Sequence, residues 1–295
     1  MPTNTNARAA IFMMLAMAAF TLNDAITKWL ATEMGVGQTM LLRGLVACTL
    51  LAALAWWQGA FKQWRLILHP AVIMRSLLEL AGTVTFLSAL PFLPLSNVSA
   101  IYQALPLVVT LGAALFLNEP VGWRRWLAIL VGFGGVMLIV RPGMENFTIY
   151  SVIVVISVFF SAARDLVTRR MPESVPTFLV ALLASFGVTA TGGILLPFQG
   201  GLVAVSTAEI IGLGAAALLL LTAYSTLIIA MRMGDVAFVA PFRYIALVVA
   251  LIVGYLAFDE HPDALMLAGA FIVVASGIYT FYRERVRAKE KALLS

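Results

Sequence analysis

The chain repeats itself, and each copy carries an odd number of membrane spans. Residues 23–28 (Asn-Asp-Ala-Ile-Thr-Lys) reappear 141 positions later as residues 164–169 (Arg-Asp-Leu-Val-Thr-Arg), and Asn118-Glu119 reappears as Asp259-Glu260. Each half contains five apolar stretches long enough to cross a bilayer. Because five crossings end on the opposite side, the second copy is expected to lie upside down. The sequence therefore predicts an all-α polytopic membrane protein with ten transmembrane helices in two inverted five-helix repeats.

Composition agrees with a membrane protein. Of 295 residues, 62% are hydrophobic and only 11% are charged, whereas a soluble domain has about 25% charged residues. The repeat predicts two domains, residues 1–143 and 144–295, the second with a basic cytoplasmic tail. The predicted spans are residues 8–31, 38–57, 69–91, 95–117, 123–140, 149–168, 175–197, 207–231, 236–257 and 263–282.

The basic residues predict the orientation of these spans. With a cytoplasmic N-terminus, the outer loops hold only Arg141 among the 19 lysines and arginines, and five others fall within spans. This distribution follows the positive-inside rule, so both termini are predicted to be cytoplasmic in a bacterial inner membrane. The cations form no single patch, and no nucleic-acid partner is expected. The predicted inner cations are Arg8, Lys62, Arg65, Arg124, Arg125, Arg169, Arg170, Arg232, Arg283, Arg285, Arg287, Lys289 and Lys291.

Charged residues inside the spans are candidate functional groups, since each costs roughly 2.5–3.5 kcal/mol near mid-membrane. Asp24 and Lys28 lie four residues apart on one face of the first helix. Asp165 and Arg169 are their counterparts in the sixth. The two pairs are interpreted either as structural ion pairs or as matched outer and inner gates.

A second group of embedded charges suggests a binding cavity. Arg75 and Glu79 are four residues apart on the third helix, and Arg43, Arg164 and Arg243 are expected to find partners on other helices. The embedded groups carry a surplus of positive charge, counting Lys28 and these arginines against Asp24, Glu79 and Asp165. A cavity rich in guanidinium favours a substrate with a carboxylate or phosphate.

The fourth and ninth helices are further candidates because each contains a proline. Pro106 and Pro241 each remove a helical hydrogen bond and kink the axis. Polar and aromatic side chains near these kinks predict either a substrate pocket or an ordinary kink with interfacial tyrosines. The residues concerned are Tyr102, Gln103, Arg243 and Tyr244, with Tyr224 on the eighth helix as a further aromatic. Separately, small residues in the fifth and tenth spans predict close helix packing: Gly132, Gly134, Gly135, Gly269 and Gly277.

The sequence argues against an enzyme. His69 and His261 are predicted on opposite sides of the membrane, and Cys48 is the only cysteine, so no usual zinc site is expected. No nucleophile–base pair or phosphate-binding motif is present. We expect no catalytic residue, no cofactor and no metal. The expected partners are a small-molecule substrate and the lipid bilayer. A monomer is sufficient, and the oligomeric state stays open.

The chain resembles the EamA branch of the drug/metabolite transporter superfamily. The resemblance covers two EamA-like halves, about 8–141 and 149–282, and rests on residues 89–100, on residues 117–120 and on their second copy through Ala240-Pro241 and residues 258–260. It implies that Glu119 and Glu260 are the family's hallmark glutamates. It also implies a substrate cavity between helices 3, 4, 8 and 9. Asn23-Asp24 and residues 240–244 are similar to the S-adenosylmethionine-carrier branch.

These observations predict an inner-membrane secondary transporter of a small organic metabolite, working by alternating access. The first expectation is an exporter of amino acids or related carboxylate-bearing or zwitterionic compounds. The alternative is an uptake or exchange carrier for S-adenosylmethionine, riboflavin or a similar cofactor. A channel-like or scaffold protein is the rival from another class. The expected binding residues are Arg75, Glu79, Tyr102, Gln103, Tyr224, Arg243 and Tyr244, and the expected gate residues are Asp24, Lys28, Asp165 and Arg169.

Overall fold

The computed structural model describes residues 3–119, 121–144, 147–172, 174–233 and 236–294. Pro120, within the family-like segment, lies outside these residues, as do the side chains of the tail cations Arg285, Arg287, Lys289 and Lys291. The described residues form helices and no strand. The α-helices are α1 Thr3–Met34, α2 Val36–Trp57, α3 Pro70–Ala89, α4 Leu95–Tyr102, α5 Leu105–Phe116, α6 Trp123–Val140, α7 Ile149–Thr168, α8 Thr177–Leu195, α9 Thr207–Met233, α10 Val236–Val239, α11 Ile245–Phe258 and α12 Ala264–Leu294. The 3₁₀ segments are Ala60–Leu68, Leu90–Phe92, Leu196–Gln199 and Ala240–Tyr244.

Ten spans are confirmed within the described residues by helix length and apolar character. The fourth span, Leu95–Phe116, consists of α4 and α5, and the ninth, Ala240–Phe258, joins a 3₁₀ turn to α11. The tail that follows the tenth span continues as helix to Leu294. An all-α polytopic fold is therefore established. The inverted relation of its two halves stays a prediction.

The helices group into two compact units, and each unit takes segments from both sequence halves. Unit 1 contains Met1–Ala25, Leu93–Val152 and Leu218–Ser295, and unit 2 contains Ile26–Phe92 and Ile153–Ala217. The chain passes from one unit to the other within α1, α7 and α9. This grouping follows packing rather than sequence copy. The predicted boundary between residues 143 and 144 stays a prediction.

In unit 1, α6 packs directly against α12 through glycine. A Cβ built at Gly135 would lie 2.8 Å from the carbonyl oxygen of Gly269, and one at Gly269 would lie 2.6 Å from that of Gly135. A Cβ at Gly132 would likewise overlap Leu107. Gly134 differs from the expectation, because a Cβ there would meet no atom within 4 Å. Successive residues of a helix point about 100° apart, so Gly134 is turned away from this contact.

In unit 2, the corresponding contact joins α2 and α8. A Cβ at Gly192 would lie 2.6 Å from the backbone nitrogen of Leu41. The Gln38 side chain fixes the segment before α9: its Nε2 donates to the Val203 carbonyl, and its Oε1 accepts from the Val203 N–H, both at 2.8 Å. The Gln38 side-chain amide therefore both donates to and accepts from the backbone of Val203, as a residue on a neighbouring β-strand would.

The sequence repeat is visible in local structure. Asn118 and Asp259, 141 positions apart, both adopt left-handed backbone with φ of 52° and 53°. The next N–H, of Glu119 or Glu260, bonds a carbonyl six residues back, at Ala113 or Gly254. A left-handed residue after the last turn, followed by an N–H that returns to a helix carbonyl, is a common kind of helix ending. The fourth and ninth spans therefore end in the same turn.

Contacts between the copies are reciprocal within each unit. A Cβ at Gly132 would contact Ser276, while one at Gly135 would contact Val273, and each partner lies 141 positions from the other glycine. In unit 2 the repeat-equivalent residues Cys48 and Thr189 meet each other, with Sγ and Oγ1 3.6 Å apart. Such reciprocal contacts are consistent with the inverted repeat, which stays a prediction.

Candidate functional site

A network of four charged side chains joins α3 and α7 within unit 2. The α3 helix begins at Pro70, where Nδ1 of His69 accepts the Ala71 N–H at 3.2 Å. Within this helix Arg75 and Glu79 are four residues, or about one turn, apart. Nη2 of Arg75 lies 3.3 Å from Oε2 of Glu79. The predicted i,i+4 spacing therefore produces an ion pair near the first turns of the third span.

Arg164 on α7 completes the network. Its Nη1 donates to Oε1 of Glu79 at 3.0 Å, while its Nε and Nη2 donate to Oδ1 of Asp165 at 2.9 and 2.8 Å. Glu79 is thus shared by two guanidinium groups, one from each helix. Arg164 was expected to find a partner on another helix, but it was not among the predicted site residues. Its neighbour Asp165 was the available signal, but adjacent residues on a helix do not ordinarily face each other.

The network is only partly shielded from solvent. The side chains of Arg75, Glu79 and Arg164 are 19, 22 and 24% exposed, and that of Asp165 is 36% exposed. Two arginines and two carboxylates balance in charge, which lowers the cost of holding them inside spans.

Two polar atoms beside this network lack a hydrogen-bond partner among the described residues. These are Nη1 of Arg75 and the hydroxyl oxygen of Ser76, both buried. Buried polar groups are ordinarily paired, because leaving one unpaired costs about 1–3 kcal/mol. A guanidinium donor left in this state is suited to an incoming carboxylate. Ser76 was not singled out from the sequence, where a lone serine in a span carries no pattern.

Close packing fixes α3 against α7 one turn beyond the network. The Ser157 hydroxyl donates to the Gly82 carbonyl at 2.8 Å, and a Cβ at Gly82 would lie 3.4 Å from the Ser161 hydroxyl oxygen. Small residues on both helices allow this approach. The two helices that carry the charges are therefore held at a defined spacing.

The predicted pocket residues of the fourth and ninth spans belong to unit 1. Helix α4 ends at Tyr102, and α5 starts at Leu105, so the span is interrupted at Gln103 and Ala104 just before Pro106. Gln103 is buried and Tyr102 is half-buried. The proline has no N–H to donate to the Tyr102 carbonyl.

The ninth span is interrupted in the same way around Pro241. Residues Ala240–Tyr244 form a 3₁₀ turn that carries the half-buried Arg243. Tyr244 is buried against Gly277 of α12, where a Cβ would overlap the tyrosine hydroxyl. That hydroxyl has no hydrogen-bond partner among the described residues. Tyr224 on α9 is 51% exposed and packs edge-to-face on Phe20, with ring centroids 5.1 Å apart.

The predicted gate residues fall at different places in the chain. Asp24 is half-buried in unit 1, whereas Lys28 is buried in unit 2, because α1 passes between the units after Ala25. Asp165 belongs to the network, and Arg169 is exposed just beyond the end of α7. The gating roles stay predictions.

Metal chemistry finds no support in the described part of the chain. No group of three or more His, Cys, Asp or Glu side chains within it is placed to hold a metal ion. The embedded charges are arranged instead as ion pairs inside apolar spans. Ionisable side chains inside spans are candidates for a functional site.

Comparison with known proteins supports the resemblance. The EamA-like transporter family matches residues 7–141. An S-adenosylmethionine uptake transporter of Rickettsia bellii is 26% identical over 95% of both chains. A riboflavin transporter of Rhizobium johnstonii is 26% identical over 96% of this chain and 94% of its own. A pseudopaline exporter of Pseudomonas aeruginosa is 24% identical over 91% of this chain and 94% of its own.

One crystal structure of another protein shares the fold. It aligns with a TM-score of 0.63 over 97% of this chain and 99% of its own, at 18% identity. The family match and the transporter names of these relatives indicate a multi-pass membrane transporter. The resemblance drawn from the sequence is confirmed: residues 7–141 match the EamA-like transporter family, and the named relatives are consistent with the drug/metabolite transporter superfamily.

Proposed function

We propose that the chain is a secondary transporter for a zwitterionic metabolite of the amino-acid type, with S-adenosylmethionine as the first candidate and uptake as the direction. One observation carries the proposal: the paired charges of both signs that Arg75, Glu79, Arg164 and Asp165 present inside two spans. The relatives named for S-adenosylmethionine uptake supply the particular substrate.

The network suits a substrate that carries both charges. A guanidinium binds a carboxylate through two parallel hydrogen bonds, and the buried Nη1 of Arg75 is available for one of them. Glu79 and Asp165 suit an ammonium or sulfonium group. Riboflavin is uncharged at neutral pH and would engage neither sign, which makes it the weaker candidate despite the relatives that bear its name.

An ordinary amino acid carries the same two charges, so the original expectation of amino-acid export remains the second candidate. The relatives reported above are named for S-adenosylmethionine, riboflavin and pseudopaline instead. The adenosyl group distinguishes the two candidates, since it needs aromatic or apolar surface beyond the charge network. Tyr102, Tyr224, Arg243 and Tyr244 are kept as proposed substrate-binding residues.

The network also provides a means of coupling binding to movement. A bound zwitterion would exchange the ion pair between Arg164 and Glu79 for pairs with the substrate. A ligand shifts a conformational equilibrium only as far as it binds the two states differently. Breaking an ion pair that closes one state provides that difference. We place the protein in the inner membrane with both termini cytoplasmic, as the distribution of its cations favours.

Reconstituted transport tests the proposal. Purified protein in liposomes is given labelled S-adenosylmethionine, methionine or riboflavin, with and without a pH gradient, and empty liposomes serve as the control. Saturable uptake of S-adenosylmethionine, competed by excess unlabelled compound but not by methionine, is the expected result. Saturable methionine flux alone would favour the hypothesis of an amino-acid transporter. Riboflavin flux without the others would overturn the zwitterion proposal.

A further inference from the structure

A cavity of about 180 Å³ lies at one end of unit 1, apart from the charge network. It is lined by Gly122, Trp123, Arg124, Arg125 and Arg283. The first four belong to the start of α6, and Arg283 comes from α12. Three guanidinium groups from two helices therefore surround one small space. No carboxylate is among the described residues that line it.

The surroundings of the cavity add to its attraction for an anion. The first residues of α6 have N–H groups without partners in the helix, and Gly122 has no side chain to cap them. These N–H groups and the helix dipole favour negative charge at the same point. The three arginines make the cavity specific, since a bare helix start would attract anions only weakly.

The cavity also lies where a lipid headgroup would be found. Trp123 is 71% exposed at the start of the fifth span, as aromatic residues are at a membrane interface. The Arg124 guanidinium lies 5.4 Å from the centroid of the Trp123 ring, within the range of a cation–π contact. The cation distribution places this end on the cytoplasmic side, where anionic lipids concentrate.

We propose that this cavity binds a phosphate group, and that an anionic phospholipid of the cytoplasmic leaflet carries it. Arg124, Arg125 and Arg283 hold the phosphate oxygens, and the Trp123 ring lies beside the acyl-chain boundary. The site ties α6 to α12 at the membrane surface, in addition to their glycine contact. It is independent of the transported substrate.

Native mass spectrometry and thermal unfolding of delipidated protein in detergent test the proposal. The probes are phosphatidylglycerol, phosphatidylcholine and inorganic phosphate. We expect one phosphatidylglycerol retained per chain and a raised Tm with that lipid, with little effect of phosphatidylcholine. Arg124→Gln with Arg283→Gln should lower the affinity at least about tenfold, the loss typical of removing charge-assisted hydrogen bonds.

The matched control is Lys62→Gln with Arg65→Gln, which removes two exposed cations on the predicted cytoplasmic side but outside the cavity. Equal loss in both double variants would show general charge attraction and overturn the proposal. A Tm increase with inorganic phosphate alone, abolished in the cavity variant, would keep the phosphate site and overturn its lipid source. If the glutamine variant does not fold, Arg124→Lys with Arg283→Lys is measured instead, because it keeps both positive charges. Wild-type lipid affinity in the lysine variant would show that the arginine side chains are not required and would overturn their role in holding the phosphate.

Discussion

Glu260 caps the helix that begins at Leu95: its Oε1 accepts the Leu95 N–H at 2.6 Å. Its Oε2 accepts from the N–H and the hydroxyl of Ser96, at 3.2 and 3.1 Å. Pro94, the residue at the N-cap position, has no side-chain acceptor, so the cap must come from elsewhere in the chain. The glutamate that ends the ninth span thereby fixes the start of the fourth, and this gives the family's hallmark residue a structural role.

The first prediction concerns this cap. Glu260→Ala removes three hydrogen bonds and a negative charge at a helix N-terminus, where loss of a cap typically costs about 0.5–2 kcal/mol. We expect a clear drop in Tm of the detergent-solubilised protein, with Glu260→Gln falling between the wild type and the alanine variant. The neighbouring Asp259→Asn is the control, because the Asp259 side chain is 95% exposed and asparagine tolerates its left-handed backbone. Equal Tm values in the two variants would contradict the capping role.

The second prediction concerns Arg164 in the charge network. Arg164→Lys keeps the positive charge. The lysine ammonium lacks the planar set of donors with which the guanidinium binds Glu79 and Asp165 at the same time. One lost charge-assisted bond amounts to about 1.5–3 kcal/mol. We therefore expect kcat/KM for the transported substrate to fall at least about tenfold.

The control for this prediction is Arg170→Lys. That residue is exposed beyond the end of the same helix, six positions on, and should transport as the wild type does. Wild-type transport by correctly folded Arg164→Lys would exclude the network from the transport cycle. Glu79→Gln provides an independent measurement on the carboxylate that both arginines share.

The third prediction compares two adjacent glycines on α6. A Cβ at Gly135 would lie 2.8 Å from the Gly269 carbonyl oxygen, whereas one at Gly134 would meet nothing within 4 Å. Gly135→Ala should destabilise the protein by about 1–3 kcal/mol through overpacking. Gly134→Ala should be neutral or stabilising by up to about 1 kcal/mol, because alanine favours helix. Thermal unfolding of both variants in one detergent decides between them, and the order of Tm values is the critical result.

The fourth prediction concerns pH and the turn before α12. The pKa of Asp263 lies below its ordinary value of 3.8. The main cause is the hydrogen bond that its carboxylate accepts from the Arg141 side chain, and the next is the one it accepts from the Met266 N–H. Since the folded state favours the charged carboxylate, its stabilising effect is complete above that value and is lost as the pH falls through the lowered pKa. Tm of Asp263→Asn should therefore lie below the wild type at pH 7, and the difference should shrink toward pH 3. A difference that does not change with pH would contradict the ion pair with Arg141.

The sequence predicted the span count because apolar length is a local property that a bilayer imposes on each segment separately. It also predicted the pairing of Arg75 with Glu79, since four residues make one helical turn. It did not predict that Arg164 would join Glu79 from another helix. That contact depends on the spacing that Gly82 and Ser157 set between α3 and α7, and no local pattern encodes it.

The sequence by itself determined the membrane class, the ten spans, the repeat and the family resemblance, because each follows from hydrophobic length, charge distribution or internal similarity along the chain. Tertiary structure alone decided which charges meet, which glycines lie in contact and what the hallmark Glu260 holds. Gly134 and Gly135 differ in environment although they are identical and adjacent, since only one faces α12. Such distinctions arise from the three-dimensional packing of distant segments, where a step of one residue along a helix separates a close contact from open space.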